Sequence, residues 1–348
     1  MRFVFQLLLS FLNLKTCSVK VPAAKILSQG FLVSIVSILL FQKSASGDVK
    51  EFLVRNLFYN NKHSSCCSGD LYLPHGTGPS PVVILIHGGG WTAGDKTAPE
   101  ITFLSIRLAA AGYAVFDVNY RLVQDGGTFP SNISDVRDAT DFIYANSQKY
   151  NLDRENIAVM GDSAGGYLAL MLAFSADKKI FKTKRLASAS RLRCAICYYP
   201  VTDLANLDKG FVTQYMDDTQ VHSPQLYKTA EPITYAASSV PTLLIQGTND
   251  KIVPIQNSEE FISRLKHYNE DVHLIKITNA GHGFRVGYES DTAFVESKKF
   301  LDEHLRARLG VPSECDLPAK SLKRADKSVP DSVMPVNSLN CYGLESKR

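Results

Sequence analysis

Three residues with the chemistry of acyl transfer stand in order along this chain: Ser163, Asp250 and His282. Ser163 is the centre of Gly161-Asp162-Ser163-Ala164-Gly165, the pattern G-x-S-x-G. A serine hydroxyl is a poor nucleophile until a histidine takes its proton, and the histidine needs a carboxylate to set its tautomer. The pattern is short, and ordinary turns produce it too, so its surroundings decide. Upstream, His87-Gly88-Gly89-Gly90-Trp91 sets three small residues in a row. Their backbone N–H groups can come close to a substrate oxygen, as a developing oxyanion requires.

Each of these groups follows an apolar, β-branched run that reads as a buried strand. Residues 82–86 lead into the glycine run, and 157–160 into Ser163. Residues 241–247 lead into Thr248-Asn249-Asp250, and 272–277 into Asn279-Ala280-Gly281-His282. A sharp strand-to-helix turn at Ser163 crowds the backbone, which is why small residues flank it. Strands are also expected over 52–59, 69–73, 113–120 and 194–199, with helices over 100–111, 134–150, 258–265 and 294–309. Strand and helix alternate, so the expected fold class is α/β: a mostly parallel central sheet with helices on both faces.

Taken together, the HGGG run, the GDSAGG run and the acid turn Asp250-Lys251-Ile252-Val253-Pro254 resemble the α/β-hydrolase esterases and lipases, in the hormone-sensitive-lipase-like branch. His87-Gly88-Gly89-Gly90-Trp91 is also similar to the variant in small feruloyl-esterase-like and formamidase-like members. The resemblance runs from about residue 53 to 309. It implies a serine hydrolase of carboxylic esters working through an acyl-enzyme, with Ser163 as nucleophile, His282 as base and then acid, and Asp250 orienting the histidine. It also implies an oxyanion hole made from the N–H of Ala164 and N–H groups among Gly88, Gly89 and Gly90. No cofactor and no metal are implied. The partner is a small-molecule ester. An amide or formamide hydrolase with the same machinery is the alternative, and a noncatalytic binding protein on this fold is a third reading.

Other residues compete for these roles. Asp203 follows a strand and Asp217 lies in a segment without strand character; Asp250 follows the stronger strand and is preferred. His273 falls inside a strand and His222 in the segment 206–239, which reads as a small lid carrying Phe211, Tyr215 and Met216. Asp162 fills the free position of the motif and is left out of the triad. His87 is expected to be structural, and Trp91 either walls the pocket or packs under the glycine loop.

The 348 residues divide into a leader over 1–46, a catalytic domain over 47–310 and a polar, proline-broken tail over 311–348. The formal charge of +4 falls to −1 without the five basic residues of the leader, which holds no acid, so nothing points to nucleic acid. The leader combines basic flanks, short apolar pieces at 3–14 and 31–41, and small residues at 44–47. It reads as an export signal, or alternatively as a membrane anchor over 26–41. Lysines and arginines crowd 177–193, as a solvated loop or a phosphate or membrane-surface patch. Seven cysteines are present; Cys194 and Cys197 fall in a core strand and read as buried thiols. Asn132-Ile133-Ser134 fits a glycosylation sequon.

Overall fold

The apolar runs form the middle of one sheet, since a strand buried on both faces has no polar side to show. The computed structural model describes residues 52–306, apart from positions 64, 77, 182, 185, 187–191, 206, 208–209 and 285–291. The expected leader and tail, with Cys17, Cys315 and Cys341, lie outside the described residues. The strands are β1 (Leu53–Phe58), β2 (Ser68–Tyr72), β3 (Ser80–Ile86), β4 (Ala114–Val118), β5 (Leu152–Asp162), β6 (Leu192–Tyr198), β7 (Thr242–Gly247) and β8 (Val272–Ile277). Their order in the sheet is β1-β2-β4-β3-β5-β6-β7-β8. β2 runs antiparallel to both neighbours, and the pairs from β4 through β8 are parallel.

Helices α1 (Pro99–Ala110), α2 (Ser131–Ala145), α3 (Ser163–Phe174), α4 (Gly210–Met216), α5 (Pro224–Ala230), α6 (Ile255–Leu265) and α7 (Thr292–Leu301) complete the order. α2, α3 and α6 contribute to the core on one face of the sheet, and α1 and α7 to the core on the other. α3 is apolar all round, and every residue from Ala164 to Phe174 is buried. Such a helix is stable only inside the protein. It begins at the end of the central strand β5 without a connecting loop.

That junction is possible only where backbones can touch. A Cβ on Gly165 would overlap the carbonyl oxygens of Ile86 and His87 at the end of β3. Asp162 is the N-cap of α3, with extended backbone (φ −118°, ψ 145°), but its side chain does not cap the helix. It is used elsewhere.

Among the elements whose bounds differ from the sequence expectation, two show a local cause. The helix expected over 134–150 starts at Ser131 and stops at Ala145, followed by a single turn at Ser147–Tyr150. Asn146 donates its side-chain amide to the Phe142 carbonyl at 2.8 Å, a local bond that competes with helix continuation. The serine strand begins at Leu152, before its apolar run. Leu152 and Asp153 pair with Ser80 and Pro81 ahead of a register shift, so polar residues before the apolar run are strand as well.

The sequon expectation is overturned. Asn132 is fully buried in α2, and its Oδ1 accepts the Tyr215 hydroxyl at 2.9 Å. A glycan cannot attach there in the folded protein. In the segment expected as a lid, Tyr215 and Met216 turn into the core, and Tyr215 stacks on Trp91 with ring centroids 4.2 Å apart. Cys194 and Cys197 are buried free thiols, with burial raising both pKa values. Lys184 of the basic loop pairs with Asp138 and Asp141, and Lys178 pairs with Asp177.

Gly165→Ala is expected to lower the melting temperature by about 3–10 °C, from an overpacking cost of about 1–3 kcal/mol at a backbone contact that cannot yield. A thermal melt checks this. An unchanged melting temperature would mean that the junction has room to spare.

Candidate active site

In this strand order β3 and β5 are neighbours, and the chain leaves them in opposite directions across the sheet. The crevice outside the carboxyl ends of such a pair is where α/β sheets bind ligands. The glycine loop follows β3 and Ser163 ends β5, so both face this crevice. Ser163 takes the left-handed conformation, with φ +48°. That is disfavoured for a residue with a Cβ, and it lifts the hydroxyl clear of the sheet.

The acid and the histidine arrive from β7 and β8, which pair from Thr242↔Val272 to Gly247↔Ile277. Beyond the strands the two turns stay tied. Thr248 donates its N–H to the Ile277 carbonyl at 3.0 Å, and Asn249 donates to Ala280 at 2.9 Å. Asn279 in return donates its N–H to the Thr248 hydroxyl at 2.8 Å. Asp250 and His282 therefore keep a fixed spacing.

The geometry joins the three predicted residues. His282 Nε2 lies 2.9 Å from Ser163 Oγ, and His282 Nδ1 lies 2.8 Å from Asp250 Oδ2. A carboxylate only accepts, so Nδ1 carries the imidazole proton and Nε2 is left to accept from the serine. Asp250 Oδ2 also accepts the Gln246 side-chain amide at 2.9 Å, and its Oδ1 accepts the N–H groups of Ile252 and Val253 at 2.8 and 2.9 Å. Burial pushes the Asp250 carboxyl up, but His282 and these N–H groups outweigh it and hold the pKa below the usual value. Asp203 and Asp217 do not take this place beside His282. His222 and His273 are exposed and pair with Asp218 and Asp271 instead.

The glycine run divides in a way the sequence did not show. Gly88 donates its N–H to Asp162 Oδ1 at 2.8 Å, so it is not available to an oxyanion. A Cβ on Gly88 would stand 2.5 Å from Asp162 Oδ2. Gly89 and Gly90 instead line a cavity of about 790 Å³ together with Ser163 and His282. Tyr199, Phe211 and Phe284 supply aromatic walls, and Glu100 and Asp162 supply carboxylates. Tyr199 also packs edge-on against His282, with ring centroids 4.8 Å apart. Its place just past β6 is the sequence signal that could have found it. His87 is buried and stacked on Tyr120 at 4.5 Å, and its Nδ1 donates to the Gly88 carbonyl at 2.8 Å. Burial lowers its pKa, so it is a neutral structural residue. Trp91 is fully buried under the loop rather than walling the cavity. Among the described residues there is no cluster of side chains that could hold a metal ion.

A mostly parallel eight-stranded sheet, with a serine at a strained strand-to-helix turn and an acid and a histidine beyond the ends of β7 and β8, defines the α/β-hydrolase fold. Within that fold the chain belongs to the BD-FAE family, whose model matches residues 69–265. That stretch includes Ser163 and Asp250 and stops before His282. Similar proteins include the probable carboxylic ester hydrolase LipM and the esterase LipQ of Mycobacterium tuberculosis, each 30% identical. LipM aligns over 56% of this chain and 47% of its own length, and LipQ over 67% and 55%. The chain thus spans about half the length of the curated relatives it matches. A solved structure of a truncated carbohydrate esterase from gut microbiota shares the fold with a TM-score of 0.65 at 21% identity, over 75% of this chain and 99% of that one.

Asp162 carries a prediction about pH. Burial pushes its carboxyl up to about 6, against the Gly88 N–H and nearby His282, which pull it down. The unfolded chain ionises at about 3.9, so the folded state holds this proton longer. Stability from that proton is complete below about pH 4 and is lost as pH rises through about 6, by roughly 2–3 kcal/mol. Asp162→Asn keeps an oxygen for Gly88 and removes the titration. Its melting temperature should rise relative to the parent by about 4–8 °C between pH 4 and pH 7. Parallel shifts at both pH values would refute the assignment.

Proposed function

We propose that this protein hydrolyses small-molecule carboxylic esters through an acyl-enzyme. The observation that carries the proposal is the hydrogen-bonded chain from Ser163 through His282 to Asp250. In this reading Ser163 Oγ attacks the ester carbonyl as His282 Nε2 takes its proton. Asp250 holds the imidazole in the tautomer that can accept it and stabilises the imidazolium that forms. The tetrahedral oxyanion is met by the N–H of Ala164 at the start of α3, where helix N–H groups are unpaired, and by N–H groups of Gly89 and Gly90. His282 then gives its proton to the leaving alcohol. Water repeats the sequence to release the acid and free Ser163.

The supports are the geometry above, the family, and relatives that carry esterase names. The cavity is large enough for both halves of an ester. The test is a p-nitrophenyl ester series from acetate to palmitate, with Ser163→Ala as control. Turnover that the control loses by at least about 10³-fold supports the proposal, and the preferred chain length separates esterase from lipase. Folded parent protein that cleaves no ester but releases formate from an aryl formamide would replace it with the amide reading.

We also infer that the leader directs export, on its residue pattern alone. Among the described residues no helix is long and apolar enough to cross a membrane. Expression in a secreting host should release protein whose N-terminal sequence begins near Gly47. Full-length chain retained in the membrane fraction would point to a tether.

A further inference from the structure

The glycine loop turns through backbone values open to glycine but disfavoured for the bulky Trp91. Between β3 and α1 it takes left-handed values at Gly89 (φ +110°), Gly90 (+59°), Trp91 (+60°) and Gly94 (+102°). Trp91 has a Cβ, and such a conformation persists only where surrounding contacts impose it. At the near end the Gly88–Asp162 bond supplies one contact. The far end is fastened by Lys96, whose side chain is 5% exposed. Lys96 Nζ reaches Asp70 Oδ1 at 2.8 Å and Asn56 Oδ1 at 3.1 Å. Its backbone N–H donates to Asn119 Oδ1 at 2.6 Å, and Asn119 donates back to Asp95 Oδ2 at 2.6 Å.

The partners are themselves shaped for this contact. The β1–β2 register shifts between Val54 and Leu57. Inside that irregularity Asn56 sits at φ +53° and donates its N–H to the same Asp70 oxygen at 2.8 Å. A bulge of this kind re-aims one side chain, here the acceptor for Lys96. A buried ion pair adds little stability compared with apolar side chains of the same volume, but it tolerates little displacement once formed. Its effect is therefore on position.

We infer that Lys96 is a positioning residue for the oxyanion loop: its buried contact with Asp70 and Asn56 sets where the Gly89 and Gly90 N–H groups stand relative to Ser163. The catalytic part rests on the esterase reading. Lys96 touches neither substrate nor the reacting atoms, and its loss acts on the transition state rather than on ground-state binding. An open cavity of about 580 Å³, lined by Asn56, Ser68, Asp95 and Asn119 among others, reaches Lys96 from outside and gives a small amine a way in.

The experiment uses the full chain and reads two signals. Trp91 is the single tryptophan of the protein and lies in this loop, so its emission and acrylamide quenching report loop position without substrate. In Lys96→Ala the emission should shift to the red and quenching should rise. kcat on the preferred ester should fall about 10–100-fold with KM within about threefold, in line with loss of oxyanion contacts. Ethylammonium should restore both signals. Lys96→Met combined with Asp70→Asn leaves no unpaired buried charge and carries the same expectation if the alanine variant does not fold. A folded variant with parental Trp91 emission, or with shifted emission but parental kcat, overturns the inference. If the parent itself shows no Ser163-dependent hydrolysis, the esterase reading fails, while the Trp91 signal still decides whether Lys96 sets the loop.

Discussion

The left-handed backbone of Ser163 is the constraint on which the other parts depend. It costs on the order of 1–3 kcal/mol and cannot hold unless the chain around it has no freedom to relax. β5 enters between β3 and β6, and α3 leaves directly into a core that buries each of its residues from Ala164 on. Gly165 lies so close to the end of β3 that a methyl group there would overlap two carbonyl oxygens. The central sheet and the apolar helix therefore fix one hydroxyl oxygen in space, and the remaining groups are brought to it.

They are brought by different means. Asp250 and His282 depend on backbone pairing between neighbouring strands and continue it past the strand ends through Thr248, Asn249 and Asn279. Gln246 stiffens this from below, since Ser258 donates to its Oε1 at 3.0 Å while its amide reaches Asp250. The glycine loop has no ladder to follow. It depends on side chains: Asp162 at one end, Trp91 stacked on Tyr215 in the middle, and Lys96 at the other end.

Carboxylates in this protein meet opposite electrostatic fates. Asp250 accepts four hydrogen bonds, one of them from His282, which together hold it ionised. Asp162, the residue before Ser163, accepts a single N–H from the glycine loop, and burial dominates its pKa. Asp117 is fully buried opposite Asp70 in the sheet, and burial pushes its pKa well above the usual value. Only the first of these has the surroundings of an acid partner for histidine. The strand before Asp250 and its place between Ser163 and His282 were therefore enough to find it, while Asp162 showed only as the free position of a motif and Asp117 carried no signal in the sequence.

The sequence by itself determined the alternation of strand and helix, the buried strands, and the positions of Ser163, Asp250 and His282. Each of these is a local signal: an apolar run of strand length, followed by a short motif at its carboxyl end. It also read His87 as structural, and Cys194 and Cys197 as core thiols. Only the tertiary structure decided which glycines remain free. Whether Gly88 keeps its N–H depends on where the Asp162 carboxylate points across two strands. Only the structure showed that Asn132 is buried, that Tyr215 and Met216 serve the core, and that Lys96 meets Asp70. Those pairings join residues 26 to 83 positions apart, and one-dimensional spacing holds no record of contacts that chain folding creates.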